Sequence, residues 1–215
     1  MRTIFLPEVD STNEWMKRNI DSLQDGDVVY AGIQTQGKGR EGKKWHSPPG
    51  GLWMSVLLEK EAPYNFIVPV AVCEFLTGEG IPGEVKWPND ILVHDKKICG
   101  ILIEKKKFYI AGIGLNLNIS HLPQELNAVS FLQLTGKKKN PEEVAHFLRD
   151  RILYWRERED VKLAYLGFLG TIGRKVKIGD AVGVARGIKE NGELVVDVNG
   201  REIEFKTGTL RYLDG

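Results

Sequence analysis

The sequence lacks an excess of charge of either sign. Its 215 residues carry 30 Lys plus Arg against 29 Asp plus Glu, a formal net charge of +1. That balance leaves nothing to drive general binding to a phosphate backbone or an anionic membrane, so DNA is not an expected partner and any electrostatic site must be local. Cysteine is almost absent. Cys73 and Cys99 lie in apolar surroundings, without C-x-x-C spacing or neighbouring histidines, and read as reduced core residues of a cytoplasmic protein. His46, His94, His121 and His146 are scattered, so no protein metal site is implied. No apolar run approaches the ~18 residues of a membrane span, and the N-terminus has no signal-peptide pattern, so no membrane role is expected. The Walker pattern is absent, and Gly112-Ile-Gly114-Leu-Asn116-Leu-Asn118 is not G-x-G-x-x-G and has no obvious helix after it, so an ATP site would belong to neither common nucleotide fold.

What is present is concentrated in one stretch, Gln34 to Gly51. Between two plausible strands, Val28–Ile33 and Leu52–Leu58, it holds Gly37, Lys38, Gly39, Arg40, Lys43, Lys44, Trp45 and then Ser47-Pro-Pro-Gly-Gly51. A loop this long in a compact domain is usually functional or disordered. Glycines let backbone N–H groups approach an anion, and Lys and Arg supply the opposing charge. The stiff, partly apolar end from Trp45 onward argues against a merely solvated loop.

In chain order, Arg2–Leu6 reads as a strand. Ser11 with Glu14 fits a capping box opening a helix whose apolar side is Trp15, Met16, Ile20 and Leu23. Phe66–Leu76 reads as a buried helix with Pro69 near its first turn. Val85–Trp87 and Asp90–Val93 are strand pieces broken at Pro88. The turn His94-Asp95-Lys96-Lys97 leads into Ile98–Glu104 and, after Lys105–Lys107, into Phe108–Asn118, an antiparallel meander. Leu122–Leu134 shows no clear period. Asn140-Pro141-Glu142-Glu143 opens an amphipathic helix, and a further helical stretch runs to about Leu169. From Ile172 onward, short Val/Ile strands alternate with Gly turns, Asn191-Gly192 and Asn199-Gly200 among them, and form a small barrel-like β module.

Polar chemistry recurs inside apolar strands. Lys86-Trp-Pro-Asn89-Asp90 puts a cation, an amide and a carboxylate where burial is costly unless they are paired or used. Lys97 stands beside a turn, a position that is usually only solvated, but Gly100 inside the following strand signals a bulge or a close approach.

Taken in order, Ser11-Thr12-Asn13, Gly37-Lys-Gly-Arg-x-Gly-Lys-x-Trp45, Gly51-Leu-Trp-Met-Ser55, Lys86-Trp-Pro-Asn-Asp90, Lys97-x-x-Gly-Ile-Leu-x-Glu104 and Gly112-x-Gly-x-Asn-x-Asn118 resemble the biotin protein ligase family, biotin–[acetyl-CoA-carboxylase] ligases, across essentially the whole chain. The resemblance implies an α+β fold: a mixed β-sheet with helices, related to class II aminoacyl-tRNA synthetases and lipoate ligases, over residues 1–170, and an SH3-like β-barrel over residues 171–215. It implies a short form, with no room for an N-terminal DNA-binding repressor domain. It also implies ATP, Mg²⁺ and biotin as the small molecules. Biotin would be activated as biotinyl-5′-AMP and passed to a lysine of a biotin carboxyl carrier protein.

By the same resemblance Lys97 and Arg40 are the catalytic cations. Ser11, Thr12, Asn13, Gln34, Gly37, Lys38, Trp45, Lys97 and Gly100 contact biotin, and Arg40, Trp45, Asn89 and Asn116 the nucleotide. The family's loop usually carries Arg where this chain has Lys38, and Lys cannot reproduce a planar two-pronged contact. A lipoate or octanoate ligase of the same superfamily, and a non-catalytic binding module, are the competing readings. The strand from Gly51 to Leu58 fits equally an interior position or an edge that pairs across a two-fold to make a homodimer.

Overall fold

The computed structural model describes residues 1–214. Thr3–Val9 (β1) pairs in parallel with Val28–Gln34 (β2), and the helix Thr12–Arg18 (α1) lies in the connection between them. Leu52–Leu58 (β3) follows, buried along its whole length, then the helix Tyr64–Gly78 (α2), Glu84–Lys86 (β4), Asp90–Val93 (β5), Lys96–Lys105 (β6) and Tyr109–Leu115 (β7). These strands form one seven-stranded sheet in the order β1-β2-β3-β7-β6-β5-β4, antiparallel except for the first pair. The expected mixed sheet is therefore present. β3 sits between β2 and β7, an interior strand rather than an edge available to a second copy.

Helices cover both faces. Met16 of α1 packs with Leu23, Val29, Leu57 and Ile110 on one face. On the other, α2 packs with the helices Pro141–Arg156 (α4) and Val161–Phe168 (α5) over Leu52, Met54, Val56 and Leu58. A short helix, Phe131–Thr135 (α3), precedes them. Alternation along β3 thus sends its even-numbered residues to the main core and its odd-numbered ones to the α1 side.

The C-terminal segment forms a separate antiparallel sheet from Lys175–Ile178 (β8), Ala181–Ile188 (β9), Leu194–Val198 (β10), Arg201–Phe205 (β11) and Leu210–Tyr212 (β12), ordered β11-β10-β9-β8-β12. Asn191-Gly192 and Asn199-Gly200 lie at its hairpin turns, where Gly192, Asn199 and Gly200 adopt positive φ. Among the described residues no helix is long and apolar enough to cross a membrane.

Several local expectations are corrected. Ser11 is the N-cap of α1, but its side chain makes no capping bond, and Glu14 instead pairs with Lys17 and Lys38. The capping box that does form is Ser130 with Gln133, in the stretch too short to show a period. α2 begins at Tyr64 after Pro63, so Pro69 falls inside the helix rather than in its first turn. His94 and Asp95 alone make the turn before β6, both at positive φ, which leaves Lys97 within the strand.

Candidate active site

Strand register places the site. Reading across the sheet, Ala31, Trp53, Gly114, Gly100, Asp90 and Lys86 face one another in successive pairs, a single row crossing six strands. In the neighbouring row Val29, Ser55, Gly112 and Leu102 are aligned. Gly112-Ile-Gly114 thus puts both glycines on the same face by the two-residue period of a strand. They leave a shallow trough in the sheet, and side chains from elsewhere fill it.

Trp45 fills the first row. A Cβ on Gly100 would lie 2.6 Å from the Trp45 ring and one on Gly114 2.5 Å from its Nε1, so only glycine admits the indole at this depth. Trp53 stands edge-on to it at 6.4 Å, and Lys97 Nζ sits 4.7 Å over the ring. The indole Nε1 is buried against Gly114 and makes no hydrogen bond among the described residues, at a cost of about 1–3 kcal/mol.

The second row holds a hydroxyl and amide network. Ser55 Oγ, with one proton to give, lies 2.6 Å from Asn13 Oδ1 and 2.8 Å from Thr12 Oγ1. Gln34 Oε1 accepts from the Thr12 amide N at 2.9 Å and from Thr12 Oγ1 at 3.1 Å, and Gln34 Nε2 donates to Ser47 Oγ at 2.9 Å. Asn13 Nδ2 donates to Glu104 Oε2 at 2.8 Å, and Lys17 bridges Glu104 and Glu14. Lys38 closes the chain on Glu14 at 2.8 Å, and these two lysines hold the Glu14 carboxyl below its usual range. Ser11, Thr12, Asn13 and Ser55 are all buried.

Over the trough lies a small hairpin rather than an open loop. Lys38 and Lys44 form a bridge, Gly39 N donates to Lys43 O at 2.7 Å, and Trp45 N to Gly37 O at 2.8 Å. Its tip turns through Glu41 and Gly42, both at positive φ, which the expected Gly-rich composition provides at only one of the two. Arg40 Nη1 donates to Asn89 Oδ1 at 3.0 Å, and Nη2 to Thr207 Oγ1. Lys97 Nζ pairs with Asp90 Oδ1 at 2.7 Å. Both cations have partners here, because each would otherwise be a half-buried charge without compensation.

Hairpin, trough and rim enclose a cavity of about 310 Å³, the low end of the small-molecule range. Ser11, Thr12, Asn13, Gln34, Lys38, Arg40, Trp45, Asn89, Lys97, Gly100 and Asn116 all line it. Gly37 lies behind the wall, where a Cβ would sit 2.5 Å from Ser47 Oγ, so its place is to let the hairpin base close. Asn116 donates from Nδ2 to Val129 O at 3.1 Å and to Lys97 O at 3.3 Å, tying β6 to the segment before α3.

Residues that sequence reasoning missed are also here. Ser55 organises the polar end, and a serine in an otherwise apolar strand was a readable signal. Lys86, in the same row as Asp90, lines the cavity over the Tyr212 ring at 4.9 Å, and burial pushes its ammonium pKa down. Gly208, Thr209 and Leu210 reach the rim from the C-terminal sheet, which no local signal disclosed.

The lining is electrically divided. Thr12 and Gln34, backed by the buried Ser55, offer neutral donors and acceptors, while Lys38, Arg40, Lys43, Lys44, Lys86 and Lys97 outnumber Glu41 and Asp90 among the charged groups. Among the described residues no three of His, Cys, Asp and Glu are grouped to hold a metal.

Residues 5–118 match the biotin/lipoate A/B protein ligase family. The bifunctional ligase/repressor BirA of Bacillus subtilis is 33% identical over 210 residues, covering 83% of this chain. The chain spans 64% of that relative's length. The biotin–[acetyl-CoA-carboxylase] ligase of Mycobacterium tuberculosis is 30% identical over 224 residues, covering 88% of this chain and 80% of its own. In three dimensions the chain is similar to biotin protein ligase from Aquifex aeolicus, solved in complex with biotin and ATP. The TM-score is 0.87 and the identity 31%, over 98% of this chain and 99% of that one.

Proposed function

The chain belongs to the biotin/lipoate A/B protein ligase family, and from that membership we propose that it activates biotin with ATP and transfers the biotinyl group to a lysine of an acceptor protein. A carboxylate oxygen of biotin attacks the α-phosphorus, the bond to the β-phosphate oxygen breaks, and pyrophosphate leaves. The lysine amine, having lost a proton, then attacks the carbonyl carbon of biotinyl-5′-AMP, and the carbonyl–oxygen bond breaks to release AMP.

The observation that carries this reading is the division of one cavity into a neutral hydrogen-bonding end and a cationic end, with Trp45 between them. The ureido ring of biotin is uncharged and needs donors and acceptors, which the Thr12–Gln34–Ser55 network supplies. The adenylation step brings a carboxylate and a triphosphate together, and Lys97, Arg40 and Lys86 offset that repulsion. Arg40, oriented by Asn89, is placed to present its guanidinium fork to a phosphate. Asn13 and Glu104 hold the polar network, and Gly100 seats the Trp45 indole that forms the apolar wall beside the biotin. Lys38 acts as a point charge through Glu14.

Mg²⁺ enters with ATP. It takes its oxygens mainly from phosphates and water, with one or two carboxylates, so a protein cage is not required, and Glu41 and the Lys97-paired Asp90 are the carboxylates that line the cavity. The acceptor is the biotin carboxyl carrier domain of a carboxylase, in keeping with the name of the mycobacterial relative. The reduced, buried Cys73 and Cys99 fit a cytoplasmic setting.

ATP–pyrophosphate exchange with biotin, lipoate and octanoate in separate reactions tests the proposal. Exchange is expected with biotin alone, and Lys97→Ala is expected to lower it by about 100-fold or more, the usual loss on removing a positioned charge stabiliser. Exchange with lipoate instead would move the chain to the lipoate branch of the family, and none with any acid would leave a binding module.

A further inference from the structure

The C-terminal sheet is the partner of the hairpin tip. The turn between β11 and β12, Lys206-Thr-Gly-Thr209, presents two hydroxyls to it. Thr207 Oγ1 accepts from Arg40 Nη2, and Thr209 Oγ1 accepts from Lys43 Nζ at 2.7 Å. Apart from Asn89, these are the bonds that tie the tip to the rest of the molecule among its side chains described here, since Glu41, Gly42, Lys43 and Lys44 are exposed.

The turn is exposed, but the sheet that carries it and the strand that follows it are anchored. Trp87 N donates to the buried Thr171 Oγ1 at 3.0 Å, Thr171 Oγ1 meets Tyr212 OH at 3.1 Å, and Trp87 Nε1 donates to Gly192 O at 3.0 Å. Leu210, directly after the turn, is buried. A turn carried on an anchored strand therefore meets a glycine-containing, exposed tip, and both hydroxyls accept from cations, the stronger kind of neutral-acceptor bond.

We propose that Lys206–Thr209 is a latch and that Thr207 and Thr209 are positioning residues, holding the hairpin, with Arg40 and Trp45, shut over the cavity and so setting how long the acyl-adenylate is retained. The retention part rests on the biotin-ligase reading; the latch itself does not. Thr207 touches Arg40 rather than any reacting atom, so its effect passes through the orientation of that guanidinium. The opening equilibrium it sets decides whether water and stray amines meet the mixed anhydride.

The test uses the full chain and the variants Thr207→Val/Thr209→Val and Thr207→Ser/Thr209→Ser. Valine keeps the β-branched shape and removes the acceptor, while serine keeps the hydroxyl. Trypsin cleavage after Lys43 or Lys44 in substrate-free protein reads hairpin opening without any chemistry. The valine variant is expected to be cut about three to ten times faster, with serine near wild type. With biotin and ATP bound, release of biotinyl-5′-AMP to solution is expected to rise by the same factor, while the melting temperature stays unchanged. Equal cleavage and release in the valine and wild-type proteins, in an assay where Arg40→Gly does accelerate release, would overturn the latch. Faster cleavage in a protein that shows no biotin-dependent exchange would keep the latch and remove the biotin-ligase reading.

Discussion

Trp45 is the residue on which the site turns. Its indole lies where Gly100 and Gly114 leave the sheet bare, under Lys97 and beside Trp53. The fit is a matter of a few tenths of an ångström, since real Cβ atoms do not come as close as the 2.5 Å that a methyl at residue 114 would impose on Nε1. Gly114→Ala is therefore expected to push Trp45 outward, because backbone in an interior strand yields less readily than a loop side chain. Steady-state kinetics should show at least a tenfold loss in kcat/KM for the small substrates, and Trp fluorescence a shift to the red as the indole meets water. A thermal midpoint within a few degrees of wild type would separate this from unfolding. Unchanged kinetics would mean that Trp45 has no fixed seat in the working enzyme.

At the scale of the element, α1 carries Ser11, Thr12 and Asn13 into the cavity without the cap its sequence predicts. Asp10 does the equivalent work from outside. Its carboxylate accepts from the Ser11 amide N at 2.8 Å and from both terminal nitrogens of Arg18, at 2.7 and 2.8 Å. The Arg18 hydrogen bonds lower the Asp10 pKa from 3.8 to about 2. A carboxyl with a depressed folded-state pKa binds protons more readily when unfolded. Its stabilisation is therefore full above pH 3.8 and is lost as the pH falls from there through about 2. The Arg18 side chain is 53% exposed, so salt weakens the pair and the effect is modest. Urea midpoints measured from pH 5 to pH 2 should fall less steeply for Asp10→Asn than for wild type over that interval, and parallel curves would show that Asp10 is not responsible.

At the scale of the whole molecule, Trp87 joins the two sheets. Its amide N and indole Nε1 both donate to residues beyond residue 170, to Thr171 Oγ1 and Gly192 O. Gly170 N also donates to Val85 O at 3.0 Å. Thr171→Val would strip a buried amide of its acceptor, at a cost of about 1–3 kcal/mol. Calorimetry should show a lower midpoint and, if the C-terminal sheet melts apart from the large one, a second transition. A single transition at the wild-type temperature would mean that the joint is made elsewhere. Because the latch turn hangs from the same joint, this variant is also expected to open the hairpin.

The sequence by itself determined the mixed α+β character, the hairpins at Asn191-Gly192 and Asn199-Gly200, the cap at Asn140 and eleven of the twelve proposed site residues that line the cavity. The elements rest on periodicity and turn chemistry, which are local, and the site residues on the resemblance of the ordered motifs to the biotin protein ligase family. Gly37 was recognised as part of the loop motif, but that it stands behind the wall depends on Ser47 folding under it. Tertiary structure alone decided the rest. The row from Ala31 to Lys86 exists only because strands far apart in sequence pair in one register, and a slip of one residue would turn every member to the other face. The pairings of Lys97 with Asp90 and of Arg40 with Asn89 and Thr207 likewise join residues from separate elements, the last reaching the turn between β11 and β12. Strand pairing, and the docking of the C-terminal sheet on Trp87, are long-range choices made by burial of shared surface, and no window along the chain contains both partners.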